Sequence, residues 1–394
     1  MVIDEGTTGV RTMIFDRALN LQAKAYETLN LMYPHPDFVE QSPAEVYERT
    51  VSTIKKAVLA GGIDPKEIEC IGISTQRVTW VPWRRSDGEP LMNMATWMDR
   101  RGIPRHKELK ADKEFERRFP EMYNSIQPQH IACGLGWQLR QDENLRRMMD
   151  AGELMFGTVD TWIVYKLTRG KVFASNASNA GTTRLIDNRT LNWNVEAMKY
   201  LGINPDMFPE VKNEADDYGM LDKDILGVEI PITGVVADQQ SALFAQACLT
   251  PWTVKSTNGT GSFVTFNLGD KSMEGKGPYA SIVGWKLPNQ VRFMAEGFLP
   301  TAGSALEWLK NEAHLIDEFG ELHGIIHSVP DSGGVFFSPA LNGFRAPLND
   351  ATAKAGFLGI SGGVKQAHLV RSVVEAIAFA TAPATEDIGK RFHV

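Results

Sequence analysis

Apolar positions near the start of the chain have the spacing of short β-strands. Val2–Asp4 is strand-like, and a Gly/Thr turn separates it from two further strand-like runs, Val10–Asp16 and Leu21–Thr28. Each run is bounded by turn residues, as expected for neighbouring strands. The pattern predicts that the chain begins with antiparallel strands.

Helical and strand patterns then recur along the chain. Pro43–Leu59 carries apolar residues near helical spacing and predicts a helix, whereas the β-branched run Ile68–Ser74 predicts a buried strand. Val254–Leu268 holds two apolar runs around a second Gly/Thr turn. Ser304–Glu312 and Lys365–Ala380 are amphipathic and predict further helices.

Strands and helices are mixed without a regular βα alternation. This mixture predicts an α/β protein with more than one domain, and 394 residues are enough for two domains with cores. We place the boundary near Ala247–Thr250, after the helix predicted to follow Asp238. The predicted domains are therefore residues 1–247 and 248–394.

Charge and cysteine usage exclude several classes of protein. Lys and Arg number 41 against 48 Asp and Glu, which disfavours nucleic acid or an anionic membrane surface as the main partner. A polyphosphate remains compatible, because backbone N–H groups and a metal ion can bind it locally. The three scattered cysteines predict neither a disulfide framework nor a zinc site, and fit a reducing cytosol. No apolar run predicts a signal peptide or membrane insertion.

The first Gly/Thr turn, Asp4–Gly9, combines a carboxylate with small and hydroxyl residues. Such a turn can present N–H groups and hydroxyls to an anion, and its carboxylate can hold a hydrated Mg²⁺. The same residues also suit an ordinary hairpin turn, and this alternative stays open for the motif taken alone.

The second Gly/Thr turn, Asn258–Gly261, has the same character. Two such turns near opposite ends of the chain are what a nucleotide held by two domains requires. Neither the GxxxxGK[ST] loop nor a GxGxxG after a strand occurs, so neither a P-loop nor a dinucleotide fold is indicated.

A candidate base and a candidate pocket complete the chemistry. Asp238 follows an apolar run at the start of a predicted helix, where it suits either a helix cap or a base that accepts a proton from a substrate hydroxyl. Arg77 and Trp97 could hydrogen-bond and stack on a polyhydroxylated substrate. A surface arginine and a core tryptophan are the ordinary alternatives.

Together these residues resemble the FGGY family of sugar and polyol kinases, which includes glycerol kinase, xylulokinase and ribulokinase. The similarity extends from Val2 to Phe379, and it is strongest to the glycerol kinases, especially a divergent animal branch. The most specific stretches are Asp4–Gly9, Gly72–Arg77, Gly157–Trp162, Ala237–Leu243, Gly259–Phe263 and Gly334–Pro347.

The resemblance implies two ribonuclease-H-like domains of the actin and hexokinase type, with an ATP cleft between them. It implies ATP and Mg²⁺ as cofactors, Asp238 as the general base, and Asp4 as the residue that organises Mg²⁺ through water. The implied polyol-binding residues are Arg77, Trp97, Asp238, Gln239 and Phe263. The implied nucleotide-binding and phosphate-binding residues are Thr7, Thr8, Gly9, Arg11, Gly259, Thr260, Gly303 and Glu307.

Four departures from the family pattern qualify this comparison. Glycerol kinases carry Glu directly after the pocket arginine, where this chain has Val78, and a pocket tyrosine falls on Gln129. Asp99 follows the pattern of pentulose kinases and is expected to help bind a different substrate. Family members also continue beyond the point that matches Phe379, so the second domain is expected to be incomplete.

The implied reaction is ATP-dependent phosphorylation of glycerol to glycerol 3-phosphate in the cytoplasm. Two alternatives stay open: a kinase for another polyol or a pentulose, and a catalytically inactive fragment or regulatory homologue. The sequence also leaves open the formation of a homo-oligomer and an association with mitochondria.

Overall fold

The computed structural model describes residues 1–272, 281–341, 343–344, 350 and 353–391. The chain divides into two compact units. The first consists mainly of Met1–Ala245 and Ile282–Phe293, and the second mainly of Gln246–Gly269 and Met294–Val394. Among the helices of the described residues, none combines the length and apolar character needed to cross a bilayer.

Residues 1–245 form a mixed succession of strands and helices, with short 3₁₀ turns at Pro65–Glu67 and Pro205–Met207. The strands are β1 (Val2–Gly6), β2 (Gly9–Phe15), β3 (Leu21–Thr28), β4 (Met32–His35), β5 (Phe38–Gln41), β6 (Ile71–Thr75), β7 (Trp80–Arg84), β8 (Met94–Ala95), β9 (Leu154–Thr158), β10 (Ala174–Asn176), β11 (Ile186–Asp187), β12 (Asn192–Trp193), β13 (Glu210–Lys212) and β14 (Ile232–Ala237). The helices are α1 (Pro43–Gly61), α2 (Ile103–Ala111), α3 (Lys113–Arg118), α4 (Pro120–Ser125), α5 (Ile131–Gln141), α6 (Glu143–Asp150), α7 (Val159–Leu167), α8 (Ala177–Thr182), α9 (Val195–Leu201), α10 (Lys223–Leu226) and α11 (Asp238–Ala245).

A five-stranded sheet in the order β14-β6-β1-β2-β3 positions the candidate site of the first unit. β1 pairs antiparallel with β2 and parallel with β6, and β6 pairs parallel with β14. Parallel strands end at the same edge of a sheet, which is where α/β proteins commonly bind ligands. The residues that follow β1, β6 and β14 are Thr7, Gln76 and Asp238, so the topology brings them to one edge.

Helix α1 covers β2 and β3 on one face of this sheet. It begins at Pro43 because the Ser42 hydroxyl accepts the Glu45 N–H at 3.3 Å and proline suits the first helical turn. It ends where Gly62 adopts a left-handed φ of 58°, a conformation that glycine accepts without steric cost. The buried face of the helix includes Val46 and Ile54, which belong to the main core of the unit.

A second sheet in the order β4-β5-β8-β7-β9 carries the rest of the site in this unit. β5 pairs antiparallel with β8, with Gln41 opposite Met94. Gln41 therefore lies at the last position of β5, and Trp97 follows shortly after β8.

The remaining elements are β15 (Val254–Asn258), β16 (Ser262–Gly269), β17 (Ser281–Leu287), β18 (Gln290–Leu299), α12 (Gly303–Asn311), a 3₁₀ turn at Phe319–Glu321, α13 (Leu322–His327), β19 (Phe336–Ser338), β20 (Gly356–Leu358) and α14 (Gln366–Arg391). In the second unit, β15 and β16 form an antiparallel hairpin whose last pair is Asn258 opposite Ser262. Helices α12 and α14 pack together through a small core that includes Leu309, Val370 and Val373.

The structure confirms the predicted antiparallel start, the helix at the position of α1, the hairpin around the second turn and the helix after Ala237. The strand predicted over Ile68–Ser74 is shorter at its start, because the 3₁₀ turn at Pro65–Glu67 precedes an extended segment that joins the sheet only at Ile71. The helix predicted to end at Ala380 continues to Arg391. The parts of the Gly334–Pro347 motif at 342 and 345–347 lie outside the described residues.

Candidate functional site

The first Gly/Thr motif forms the hairpin turn between β1 and β2. Gly6 pairs with Gly9, so Thr7 and Thr8 form the tip of the turn. A side chain at Gly9 would place its Cβ 2.5 Å from the Glu27 carbonyl oxygen, which explains why glycine is required there. The local backbone is therefore a hairpin turn, as one of the two interpretations of this motif predicted. Whether it binds a ligand depends on the groups that the turn presents.

Asp4 lies opposite Arg11 across the β1–β2 pair, and Arg11 Nη1 is 3.5 Å from Asp4 Oδ2. Burial raises the pKa of the Asp4 carboxyl, the Arg11 guanidinium lowers it, and the charge of nearby Asp238 raises it further. The net result is a raised pKa. Two neighbouring carboxylates that disfavour each other's charge form a place where a cation is stabilised.

The residues around Asp4 fit a hydrated Mg²⁺ better than a fully protein-bound metal ion. Within the described part of the chain, no group of three or more His, Cys, Asp or Glu could hold a metal ion. Mg²⁺ is commonly bound by one or two carboxylates, water and substrate phosphates. Asp4, with 37% of its side chain exposed, suits that mode of binding.

Asp238 and Arg77 meet at the edge where β6 and β14 end. Ala237 and Thr75 are paired in the parallel register, and Arg77 Nε lies 3.4 Å from Asp238 Oδ1. The same carboxylate oxygen accepts the backbone N–H of Gln239 at 2.7 Å. The carboxylate of Asp238 is thus held at the first residue of α11 with 37% of the side chain exposed, accessible to a substrate.

Trp97 contacts the first turn directly. Its indole Nε1 donates a hydrogen bond of 2.8 Å to the Thr7 hydroxyl, and that hydroxyl lies 3.3 Å from Gln76 Oε1, to which it can donate. Because the hydroxyl of Thr7 makes these contacts within the protein, a phosphate contact at this residue would have to come from its backbone N–H. The structure therefore joins the predicted phosphate turn to a residue predicted for the polyol pocket.

Asp99 does not occupy an open pocket, which corrects the expectation that it helps to bind the substrate. Only 3% of the residue is exposed, and its carboxylate pairs with the Arg101 guanidinium at 2.8 and 2.9 Å. It also accepts the Val39 N–H at 2.9 Å. Arg101 additionally donates to Glu40 at 2.6 Å. Through these bonds, Asp99 holds the segment that carries Trp97 in place.

Val78 has a strained backbone immediately after Arg77. Its φ of 66° lies in the left-handed region, which is unfavourable for a β-branched residue. Such strain persists only where the surrounding structure imposes it, and it is concentrated at functional sites. The packing of the turn between β6 and β7 therefore holds Val78 in this conformation.

Glu5 is a site residue that sequence reasoning missed. It is fully buried beside Asp4, and Gln76 Nε2 donates to its Oε1 at 2.8 Å, while its Oε2 makes no hydrogen bond to a described residue. Burial raises the pKa of Glu5 to about 8, and the charges of Asp4 and Asp238 add to the effect. The only available signal was the alternation of buried and half-exposed positions along β1. That pattern predicts burial at position 5 but gives no reason to expect a functional glutamate there.

The raised pKa of Glu5 predicts a pH-dependent stability. A carboxyl whose pKa rises from 4.5 when unfolded to about 8 when folded binds more protons in the folded state, so the free energy of unfolding falls as pH rises through this interval. We expect Glu5→Gln to match the parent near pH 4 and to exceed its stability by on the order of 5 kcal/mol at pH 9. Urea unfolding at pH 4, 7 and 9 measures the difference. A constant difference at all three values would contradict the prediction.

The second Gly/Thr motif lies against the start of α12 within the second unit. Gly303 N donates to the Gly259 carbonyl at 2.8 Å, and Ala302 and Ser304 donate to the Thr260 carbonyl at 3.1 and 3.0 Å. A Cβ at Gly303 would lie 2.5 Å from the Gly259 oxygen, so this close approach requires glycine. Gly259 and Thr260 are themselves exposed, which leaves their outer side accessible to a ligand.

The other two predicted residues of the second unit lie on either side of this contact. Glu307 is exposed on α12, one turn after Gly303. Phe263 follows the turn on β16, and its ring stacks on Phe298 with the ring centroids 4.5 Å apart. The structure therefore brings Gly259, Thr260 and Gly303 together, whereas Phe263 is engaged with another aromatic ring.

Comparison with protein families places both halves of the chain in one group. Residues 1–245 match the N-terminal domain of the FGGY family of carbohydrate kinases, and residues 254–393 match its C-terminal domain. The chain is 37% identical over 389 residues to "Glycerol kinase 2" of Thermotoga maritima, covering 98% of this chain and 78% of that protein. It is 35% identical over 393 residues to "Glycerol kinase 5" of Danio rerio, covering 96% and 74%.

Solved structures show the same fold. The crystal structure of Plasmodium falciparum glycerol kinase with ADP matches with a TM-score of 0.91 and 27% identity, covering 99% of this chain and 78% of that one. A ligand-bound xylulose kinase from Lactobacillus acidophilus matches with a TM-score of 0.83 at 19% identity, covering 96% and 76%, and this likeness concerns the fold alone. The predicted α/β kinase fold is thereby confirmed.

Proposed function

Since this chain belongs to the FGGY family of carbohydrate kinases, we propose that it transfers the γ-phosphoryl group of ATP to a hydroxyl of glycerol, giving glycerol 3-phosphate and ADP. The observation that supports this most directly is the half-exposed Asp238 carboxylate, which is held 3.4 Å from Arg77 Nε beside Asp4. Relatives named glycerol kinase, which match over nearly the whole chain, support glycerol as the acceptor.

In this proposal the residues of the first unit divide the work of phosphoryl transfer. Asp238 accepts the proton of the attacking hydroxyl, and Arg77, Trp97 and Gln239 bind the polyol. Thr7, Thr8, Gly9 and Arg11 contact phosphate oxygens, Thr7 through its backbone N–H while its hydroxyl holds the turn in place. Asp4 would hold Mg²⁺ through water, and the ion would neutralise phosphate charge as it develops.

The second unit contributes the remaining proposed residues. Gly259 and Thr260 are proposed to bind phosphate through the exposed side of their turn, and Gly303 and Glu307 to lie near the nucleotide. Phe263 is retained as a proposed polyol residue, with its ring stacked on Phe298. The domain division into 1–247 and 248–394 also stays a prediction.

A coupled assay of ADP formation tests the function. The purified chain with Mg²⁺ and ATP is given glycerol, a pentulose or no acceptor, and we expect acceptor-dependent turnover that is fastest with glycerol. Turnover of the pentulose without turnover of glycerol would show that the acceptor is a pentulose and not glycerol. The absence of any acceptor-dependent turnover in a folded sample would favour the alternative of an inactive or regulatory homologue.

Val78 is the observation that favours another polyol as a second candidate. A valine cannot accept a hydrogen bond from a substrate hydroxyl, and here it follows the pocket arginine directly. We expect Val78→Glu to raise kcat/KM for glycerol by about tenfold, through one additional hydrogen bond to the substrate. Steady-state kinetics with glycerol and with the pentulose measure the change.

The control is Val78→Ala, which removes the β-branching at the strained position without adding an acceptor. If Val78→Ala raises glycerol turnover as much as Val78→Glu, relief of backbone strain rather than hydrogen bonding is the cause. If Val78→Glu lowers glycerol turnover, the pocket is built for a different acceptor.

A further inference from the structure

The side-chain amide of Gln76 is buried at the end of β6 with 2% of the residue exposed, and its hydrogen-bonding capacity is fully used. Its Nε2 donates to Glu5 Oε1 at 2.8 Å and to Gln41 Oε1 at 2.9 Å. Its Oε1 accepts from the Thr79 hydroxyl at 3.0 Å and lies 3.3 Å from the Thr7 hydroxyl. A primary amide offers two donor hydrogens and two acceptor positions, so all four are occupied.

Gln41 extends this arrangement to the backbone of the first turn. The residue is fully buried at the last position of β5, and its Nε2 donates to the Thr7 carbonyl oxygen at 2.8 Å. Thr7 is therefore held at its carbonyl by Gln41 and at its hydroxyl by Trp97 Nε1. Two buried amides thus link segments that are far apart along the chain.

We propose that Gln41 and Gln76 are positioning residues that hold the Thr7–Thr8 turn and the segments bearing Arg77 and Trp97 as one rigid group. In the proposed phosphoryl transfer, neither glutamine contacts a reacting atom. They act by aligning the phosphate-binding turn with the polyol-binding side chains, whose relative placement determines the rate of phosphoryl transfer. The inference rests on the proposed function for its kinetic consequences, but not for the geometry that supports it.

Amides suit this task for a physical reason. A buried polar group left without a partner is costly, so an amide with every position occupied has a single favourable orientation. Gln76 immediately precedes Arg77, and Gln41 bonds the turn itself. Displacement of either amide would therefore disturb both the phosphate-binding turn and the polyol-binding side chains.

The test replaces Gln41 by Met, which keeps the length of the side chain and removes its donor and acceptor. We expect kcat/KM for ATP and for glycerol to fall together by about 10- to 100-fold, because the loss of a buried hydrogen-bonding partner affects both substrates. We also expect amide hydrogens at residues 7–11 to exchange faster than in the parent. If Gln41→Met does not fold, Gln41→Asn, which retains the amide but is one methylene shorter, is measured in its place.

Thr53→Val is the matched control. Thr53 and Thr12 are fully buried in the same unit and share a hydroxyl–hydroxyl hydrogen bond of 2.9 Å, so the variant loses a comparable buried bond outside the amide pair. We expect it to lower thermal stability while both KM values and the exchange at residues 7–11 stay at the parent values. The same pattern in the Gln41 variant, with lower stability alone, would overturn the proposal.

The two readouts separate this inference from the proposed function. If the parent phosphorylates no polyol, the proposed function fails, and faster exchange at residues 7–11 in the Gln41 variant still supports the positioning role. If the parent is active and the variant shows parent-like kinetics and exchange, the proposed function stands and the positioning role is overturned.

Discussion

Asp238→Asn is expected to lower kcat for glycerol phosphorylation by about a thousandfold. Asn has nearly the same shape and can still accept the Gln239 N–H, so the start of α11 should be retained. It cannot take a proton from the attacking hydroxyl, and it loses the charge that attracts Arg77 Nε at 3.4 Å. The KM for ATP should change by less than about threefold, because the lost interaction forms in the transition state.

Asp187→Asn is a suitable control for this experiment. Asp187 also pairs with an arginine in the first unit, with Arg189 Nη2 at 2.8 Å from Oδ2, but it is not among the proposed site residues. Its substitution should leave kcat unchanged. An Asp238→Asn variant with the parent's kcat would show that Asp238 is not the base.

Asp4→Asn is expected to lower kcat/KM for ATP by about a hundredfold, because the proposed Mg²⁺ ligand is lost. The folded protein should at the same time become more stable at neutral pH. The pKa of Asp4 is raised by burial, so its ionised form costs stability above that raised pKa, and the neutral amide removes the cost. Activity and stability should therefore change in opposite directions.

Initial rates over a Mg²⁺ titration and thermal unfolding of the same samples measure both effects. We expect part of the lost activity to return at high Mg²⁺ concentration, since weaker binding can be offset by mass action. Glu69→Gln, which removes an exposed acid paired with Arg17, should change neither quantity appreciably. A joint loss of activity and stability in Asp4→Asn would show that Asp4 supports the fold rather than a metal ion.

The glycine-rich turns show how far local pattern alone can predict a site. The residues of Asp4–Gly9 predicted a turn that follows a strand, and the structure contains a hairpin whose tip is Thr7–Thr8. The second motif likewise forms the turn between β15 and β16. Turn conformation depends mainly on neighbouring residues, above all on the positions that only glycine tolerates. It can therefore be predicted from a short stretch of sequence.

Asp99 shows where this reasoning fails. Its place in a motif resembling that of pentulose kinases suggested a substrate ligand, but the structure buries it against Arg101 and the Val39 N–H. A carboxylate has the same appearance in a sequence whether it faces a substrate or an arginine. Only the packing around it determines which partner it has.

Glu5 and Gln41 were missed for a related reason. Each lies in a short strand, and a polar residue that the fold buries in a strand carries no local sign of its partners. Glu5 meets the distant Gln76 because β1 and β6 are neighbours in one sheet, and Gln41 meets the distant Thr7 because strands of two sheets end near one another.

The sequence by itself therefore determined local features of this protein: the strands and helices predicted near the two ends of the chain, the two glycine-dependent turns and the motifs by which it resembles a kinase. Tertiary structure alone decided that Asp238 meets Arg77, that Asp99 pairs with Arg101, and that the two buried amides of Gln41 and Gln76 hydrogen-bond to each other and to the first turn. The division has a physical cause. Turn and strand preferences act between neighbouring residues, whereas the pKa of a carboxyl and the partner of a buried amide depend on segments that only folding brings into contact.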